Sequence, residues 1–480
     1  MDYAELMQKL KALADGPIIP LPDNVKSDAL RQYDQRFKRS KELAIEAKKY
    51  IPGGHEHQNA IKFPFTIFMQ KAQDAYLYDI DGNRFVDYLM ASGPIILGHN
   101  YPELRDFVVD VIKERGPITG VMVDYEVMAA KEIIKHVKSI ERVRFYQSGT
   151  EVGMAAARLA RCFTGKEYII KVGGSYHGWS DTLVYDLHLP GSANMFSYGI
   201  PKGAIDKTLS VKPNDARRIE KLITLYGKEG KGGVAAVFLE GLGGDGGTWY
   251  VPPEFYKEVR EICDKHGVLL VMDEVITGFR LAMGGAQEYF GVRADITMLG
   301  KIVGHGYPSA GALGGRADIM GYLGAQAESI DGKKQAIERS VMTAGTMAGN
   351  TLTCAAAWKA IQLIEKTDAI NVAGRAATKI CNGINDIFQR ASLPFVAYNF
   401  QSIIHMPMTA FYFVNMNRPD ALQQVDLRRK TLQDYQMLLA LEGINSLQAM
   451  RYYTCLMHDN QAIYDETFKA FESFCKKLTH

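Results

Sequence analysis

The stretch VLLVMDEVITGFRLAMGGAQEYFGVRADITMLGK, residues 268–301, decides the fold. It opens and closes on short apolar runs, VLLVMDE (268–274) and ADITMLGK (294–301), each ended by a charged side chain. Upstream lie two more such runs, EYIIKV (167–172) and VAAVFLE (234–240). Runs of this length, rich in Val and Ile, read as buried strands. Between them EVGMAAARLARCFTG (151–165) and PEFYKEVREICDKHG (253–267) show helical periodicity and end at glycine, a C-terminal stop signal. Strand–helix alternation predicts an α/β fold with a mostly parallel sheet. In such sheets ligands bind beyond the carboxyl ends of the strands, so candidate functional residues follow each run.

The rest of the chain is organised differently. Leu6, Leu10 and Leu13 have helical spacing, prolines at 17, 20 and 22 interrupt, and the helical pattern resumes over 31–50. AYLYDIDGNRFVDYL (75–89) holds two apolar runs around Asp81-Gly82-Asn83, a hairpin signal. A long helix is expected over 351–366, followed by an α+β region, and the polar stretch 322–340 reads as a surface loop or short helix.

Composition bounds the function. The chain has 480 residues, 47% hydrophobic and 23% charged, which is ordinary for a soluble globular protein of two to four domain-sized units. Fifty-six basic against 54 acidic residues give a formal charge of +2, and nothing in that balance points to nucleic acid or an anionic membrane as the main partner. No apolar run is long enough for a membrane span, and the N-terminus lacks a signal-peptide pattern. Six cysteines without a C-x-x-C pair read as reduced thiols of a cytoplasmic protein.

Four short stretches carry unusual residues. Ser148-Gly149-Thr150-Glu151 opens a strong helix, where first-turn N–H groups make a phosphate cup; helix capping alone would also explain it. Tyr176-His177-Gly178-Trp179 follows the run 167–172 and supplies flat rings able to stack on an aromatic ligand. Asp273 ends a buried run, where a carboxylate needs a partner. Lys301 ends another and enters glycine-rich sequence, the setting of a Schiff-base amine. Phosphate cup, stacking ring, buried carboxylate and lysine together address each part of pyridoxal phosphate. The G-x-G-x-x-G at 241–246 matches a dinucleotide fingerprint, but Thr-Trp-Tyr-Val-Pro-Pro follows instead of a helix. A nicotinamide-dependent oxidoreductase is therefore only the contrasting alternative. His55, Glu56 and His57 read as a substrate-pocket loop, and no metal is expected.

The chain resembles the class III, fold type I pyridoxal-phosphate aminotransferases, most of all their glutamate-1-semialdehyde 2,1-aminomutase-like branch. The resemblance is carried by IPGG (51–54), AYLYDIDGNRFVDYL (75–89), GPIILGHNYPE (93–103) and SGTEVGMAAARLARCFTGKEYIIK (148–171). It continues in SYHGW (175–179), the block 273–316 and TAGTMAGN (343–350). It implies a large domain with a seven-stranded, mostly parallel sheet flanked by helices, and a smaller α+β domain from the terminal segments. The expected boundaries are 1–95, 96–350 and 351–480.

The resemblance further implies that Lys301 forms the Schiff base, Asp273 holds the protonated pyridine nitrogen and Val275 packs under the ring. Tyr176 would stack on the other face, with Ser148, Gly149 and Thr150 at the phosphate. Thr346 would reach the phosphate of the neighbouring subunit, hence a homodimer. The chain has Ala60 where the branch has a carboxylate-binding arginine, Ser92 where it has tryptophan, and Glu240-Gly241 where it has Glu-Pro. Near the C-terminus it reads MRYYTCLMH, with Arg451, in place of Glu-Ala-Gly-Phe. Arg451, Ser92 and Glu240 are the expected substrate contacts, although an ordinary salt bridge would also account for Arg451. The expected activity is transfer of an amino group between an amino acid or related amine and a keto acid. An intramolecular aminomutase and an amino-acid racemase are the alternatives on the same fold.

Overall fold

The computed structural model describes residues 3–57, 60–193, 197–324 and 339–479. Most of the expected surface segment 322–340 therefore lies outside the described residues. The chain divides into two units, Glu103–Lys366 and the pair of segments Met1–Pro102 and Thr367–His480.

The first unit is built on seven strands: β1 (Arg142–Tyr146), β2 (Tyr168–Val172), β3 (Thr208–Val211), β4 (Val234–Glu240), β5 (Leu269–Asp273), β6 (Ile296–Gly300) and β7 (Gly311–Gly315). Their order across the sheet is β1-β7-β6-β5-β4-β2-β3. The β6–β5, β5–β4, β4–β2 and β2–β3 pairs are parallel, while β7 runs antiparallel to both β6 and β1. Every residue of β4, β5 and β6 is buried, as expected for parallel strands covered on both faces.

The exception at β7 has a simple cause. The link from β6 is too short for the crossover that a parallel return requires. β7 reads GALGG and has none of the usual strand formers, so periodicity does not reveal it. Its glycines serve close approach: a Cβ on Gly311 would lie 2.7 Å from the Ser148 carbonyl oxygen, and one on Gly315 would lie 2.5 Å from that of Asp295. The helix Gly149–Thr164 lies on the sheet through Ala155, Ala156, Leu159 and Ala160, packed in one core with Phe238, Val271, Met298 and Leu313.

In the other unit the helices Tyr3–Asp15, Asp23–Arg36 and Lys38–Ala47 precede a hairpin of Tyr76–Asp79 with Arg84–Asp87. The helical pattern expected over 31–50 is split at Phe37, whose backbone leaves the helical region (φ −115°, ψ 47°) while its buried ring packs edge-on against Tyr33. In the hairpin turn the Asp79 carboxylate accepts the N–H groups of Asp81 (3.0 Å) and Asn83 (2.7 Å), and Gly82 supplies a φ of +88°. Ile444–Asn445 extends this sheet in parallel. Tyr398–Phe400, Ile403–His405 and Arg451–Tyr453 form a second, antiparallel sheet. The helices Ala369–Arg390, Ala421–Leu441 and Gln461–Thr479 complete the unit. No helix among the described residues is long and apolar enough to cross a membrane, and all six cysteines are free thiols.

The helix Gly149–Thr164 is seated by Gly153, where a Cβ would come 2.5 Å from the His177 carbonyl oxygen and 3.0 Å from Leu183. Gly153→Ala should therefore destabilise the fold by about 1–3 kcal/mol through overpacking. A lower urea midpoint with an unchanged slope is the expected readout, and an unchanged midpoint would mean the helix has room to shift.

Candidate active site

Sheet register gathers the carboxyl ends of the central strands. Glu240, last in β4, pairs with Asp273, last in β5, and Asp273 also pairs with Met298 of β6. β2 leads into the loop that carries Tyr176 and His177, and β6 ends one residue before Lys301.

Asp273 is buried and doubly engaged. Its Oδ1 accepts the N–H of Val275 at 3.0 Å, and its Oδ2 lies 2.8 Å from His177 Nδ1. His177 is fully enclosed, edge-on to Phe238. Burial pulls the His177 pKa below its ordinary value, and the Asp273 carboxylate only partly opposes this. The ring is thus neutral at pH 7, and the acceptor-only carboxylate assigns its proton to Nδ1. Sequence reasoning singled out His177 only as part of a flat-ring cluster. Its bond to Asp273 spans two strands, and no residue spacing announces it.

Val275 is the point where three elements meet. A Cβ on Gly149 would lie 3.2 Å from Val275 Cγ1, and one on Gly300 would lie 3.1 Å from the same atom. The helix start and the residue before the lysine are therefore both glycine because valine occupies the space between them. Ser148 caps the helix, its Oγ accepting the N–H of Glu151 at 3.2 Å. The first-turn N–H groups of Gly149 and Thr150 have no carbonyl within the helix to bind. Gly178 (φ +96°) closes the loop onto this turn, since a Cβ there would sit 2.7 Å from Thr150 Cα. Ser148, Gly149, Thr150, Tyr176, Asp273, Val275 and Lys301 thus belong to one neighbourhood. Lys301 is half-buried and begins a short 3₁₀ turn with φ +45°, a conformation that costs a non-glycine residue about 1–2 kcal/mol.

Tyr176 is exposed, its ring parallel to that of His188 with centroids 6.3 Å apart. Its N–H donates to Glu240 Oε1 at 2.7 Å, and the N–H of Gly246 donates to Glu240 Oε2. Glu240, expected at the substrate, is buried with both oxygens on backbone donors. Thr346 is exposed, and its carbonyl accepts from Thr119 Oγ1 at 3.2 Å. Ser92 and Arg451 belong to the other unit. Ser92, with φ +68°, is the third of four successive residues with positive φ (Met90 to Gly93), and Arg451 is buried with Nη1 3.4 Å from Tyr453 Oη.

The glycine run 241–246 leads into a single helical turn, Gly244–Gly247, and then the short strand Trp249–Tyr250. A dinucleotide fingerprint needs a full helix at that point, and Asp264, near the ribose-binding distance, lies inside the helix Pro253–His266. This geometry removes the nicotinamide alternative. Among the described residues, the one His and acid group with ligand-like spacing is Glu132, His136 and Glu365; Lys135 already bridges its carboxylates at 3.2 and 2.7 Å.

The chain is similar to known proteins over most of its length. The family profile described as Aminotransferase class-III matches residues 58–394. A glutamate-1-semialdehyde 2,1-aminomutase of Methanothrix thermoacetophila is 37% identical, covering 91% of this chain and 96% of that protein. Among solved structures, a β-phenylalanine aminotransferase from Variovorax paradoxus is 26% identical with a TM-score of 0.78, over 94% of this chain and 97% of that one. An ω-transaminase from Sphaerobacter thermophilus is 25% identical with a TM-score of 0.79, over 92% of this chain and 98% of that one.

The buried His177 sets a pH dependence. Its folded pKa lies below the unfolded value of about 6.5, so under acid the unfolded chain takes the proton first and stability falls as pH drops through that window. His177→Asn keeps a donor for Asp273 and does not titrate. Its stability deficit relative to the wild type should therefore shrink between pH 7.5 and 5, measured by urea unfolding. A constant deficit would mean His177 gains its proton equally well in both states.

Proposed function

The chain belongs to the class III aminotransferase family, whose cofactor is pyridoxal phosphate, and from that premise we propose that it moves an amino group from an amino acid or related amine to a keto acid. The convergence of Asp273, Lys301 and the Gly149–Thr150 turn on Val275 carries the reading. The site suits the cofactor chemically. Asp273 has spent one lone pair of each oxygen, on Val275 and His177, and keeps one on each for a ring N–H. The N–H groups of the helix start suit a phosphate dianion without a cluster of basic residues. When bound, pyridoxal phosphate supplies a ring that takes up the electron pair of a C–H bond broken beside an amine.

The chain's own residues supply the rest. Asp273 holds the proton on the pyridine nitrogen, and neutral His177 donates to Asp273 without cancelling its charge. Val275 and Tyr176 would flank the cofactor ring, and Ser148, Gly149 and Thr150 would hold its phosphate. Lys301 would hold the cofactor through its side-chain amine and would serve as the base and then the acid that moves a proton at the substrate carbon. Thr346 completes the phosphate site of a second copy in a cytosolic homodimer. In support, exposed Val121, Met122 and Met347 flank the Thr119–Thr346 bond, an apolar surface suited to a partner.

A second reading is an intramolecular shift of the amine, favoured by the 37% identity to the aminomutase over 91% of the chain. Ala60 and Ser92, in place of that branch's arginine and tryptophan, favour the intermolecular reaction. The deciding experiment offers purified holoenzyme a panel of amino donors with and without keto acids, followed at the cofactor's visible band. Keto product formed only with an added acceptor is expected, and turnover without one would favour the aminomutase or racemase alternatives. Lys301→Ala should lower turnover at least ~10³-fold while the fold persists. Wild-type rates in that variant would sink both readings.

A further inference from the structure

Lys171 lies in β2 with no exposed surface. Its Nζ donates to the carbonyl oxygens of Ser175 (2.9 Å), Leu183 (3.0 Å) and Tyr185 (2.8 Å). An ammonium has three donors, and all three are used on one loop. None of these bonds is to a carboxylate. Burial pushes the ammonium down to about 8, opposed by the more distant charges of Asp186, Glu240 and Asp273. A buried lysine is costly where an apolar side chain would fill the strand, and the converging carbonyls show what it holds.

The carbonyl of Ser175 and the N–H of Tyr176 belong to the same peptide group. Lys171 grips its oxygen at 2.9 Å, and Glu240 Oε1 accepts its N–H at 2.7 Å. The other oxygen of Glu240 is anchored on the N–H of Gly246. One residue further on, His177 is bonded to Asp273. Two buried charges of opposite sign therefore fix one peptide plane, with charge-assisted bonds roughly twice as strong as neutral ones. The ring of Tyr176 retains only its side-chain torsions.

We propose that Lys171 and Glu240 are positioning residues, a pair of opposite charges that clamps the Ser175–Tyr176 peptide and so fixes the Tyr176 ring against the cofactor. Neither touches the reacting atoms. The proposal rests on the stacking role of Tyr176 proposed above, and it gives Glu240 an orienting role in place of the substrate contact expected from sequence.

The test titrates pyridoxal 5′-phosphate into the apo forms of the wild type, Tyr176→Ala, Glu240→Gln and the double variant, reading Kd and the visible circular dichroism of the bound cofactor. Glutamine must turn its NH₂ toward one of two N–H donors, so one bond is lost. Glu240→Gln should raise Kd about tenfold in the wild-type background, the equivalent of one charge-assisted bond. It should raise Kd by less than about twofold once Tyr176 is alanine, because the two changes act through one ring. Equal effects in both backgrounds would overturn the clamp while leaving the stacking reading intact. An unchanged Kd in Tyr176→Ala would instead overturn the stacking reading, and the clamp with it. Lys171→Met should follow Glu240→Gln; if it is not recovered folded, the Glu240 cycle alone decides.

Discussion

A carboxylate at the end of a strand with no exposed residue is the constraint on which the site depends. Asp273 closes β5, whose five residues are all buried, so its charge must be met by the protein itself. The N–H of Val275 meets one oxygen and His177 the other. The first bond turns the chain so that the Val275 side chain enters the gap between Gly149 and Gly300. The second ties the loop after β2 to the centre of the sheet. The start of the helix Gly149–Thr164 and the residue before Lys301 are thus referred to one point, and the parallel register of β4, β5 and β6 holds that point still.

Charge is used sparingly around it. A neutral imidazole supports Asp273 without bringing a second charge, and burial is what keeps it neutral. The buried ammonium of Lys171 bonds to carbonyls, not to a carboxylate, which leaves Glu240 to accept backbone N–H groups. In a low-dielectric interior each of these bonds is strong, and each donor left unmet would be expensive. The loop of Tyr176 is held by the bonds of Lys171, Glu240 and His177 Nδ1, while Tyr176 itself stays exposed.

Much of this was legible beforehand. Four buried strands announced themselves by apolar runs, and charged residues stand at or beside the ends of three of them, at Glu240, Asp273 and Lys301. β1, β3 and β7 gave no such signal. RVRFY alternates and is half exposed, TLSV is four residues long, and GALGG has no strand-forming side chains. Their place is decided by neighbours: β7 is a strand because two partners flank it and only glycine fits against Ser148 and Asp295. Likewise the helix expected over 31–50 breaks at Phe37, whose ring is needed in the core more than its backbone is needed in the helix.

What the sequence determined alone is the class of fold and the residue types of the site, because buried runs, helix caps and a strand-ending lysine are local facts of spacing and hydropathy. It marked glycine as abundant, with 45 residues of that type, without saying what each one clears. Only the tertiary structure decided that Gly149 and Gly300 make room for one valine, that His177 belongs to Asp273, and that Glu240 holds a peptide. Those relations join residues far apart in the chain, and the bonds between them exist only after the strands have taken their register.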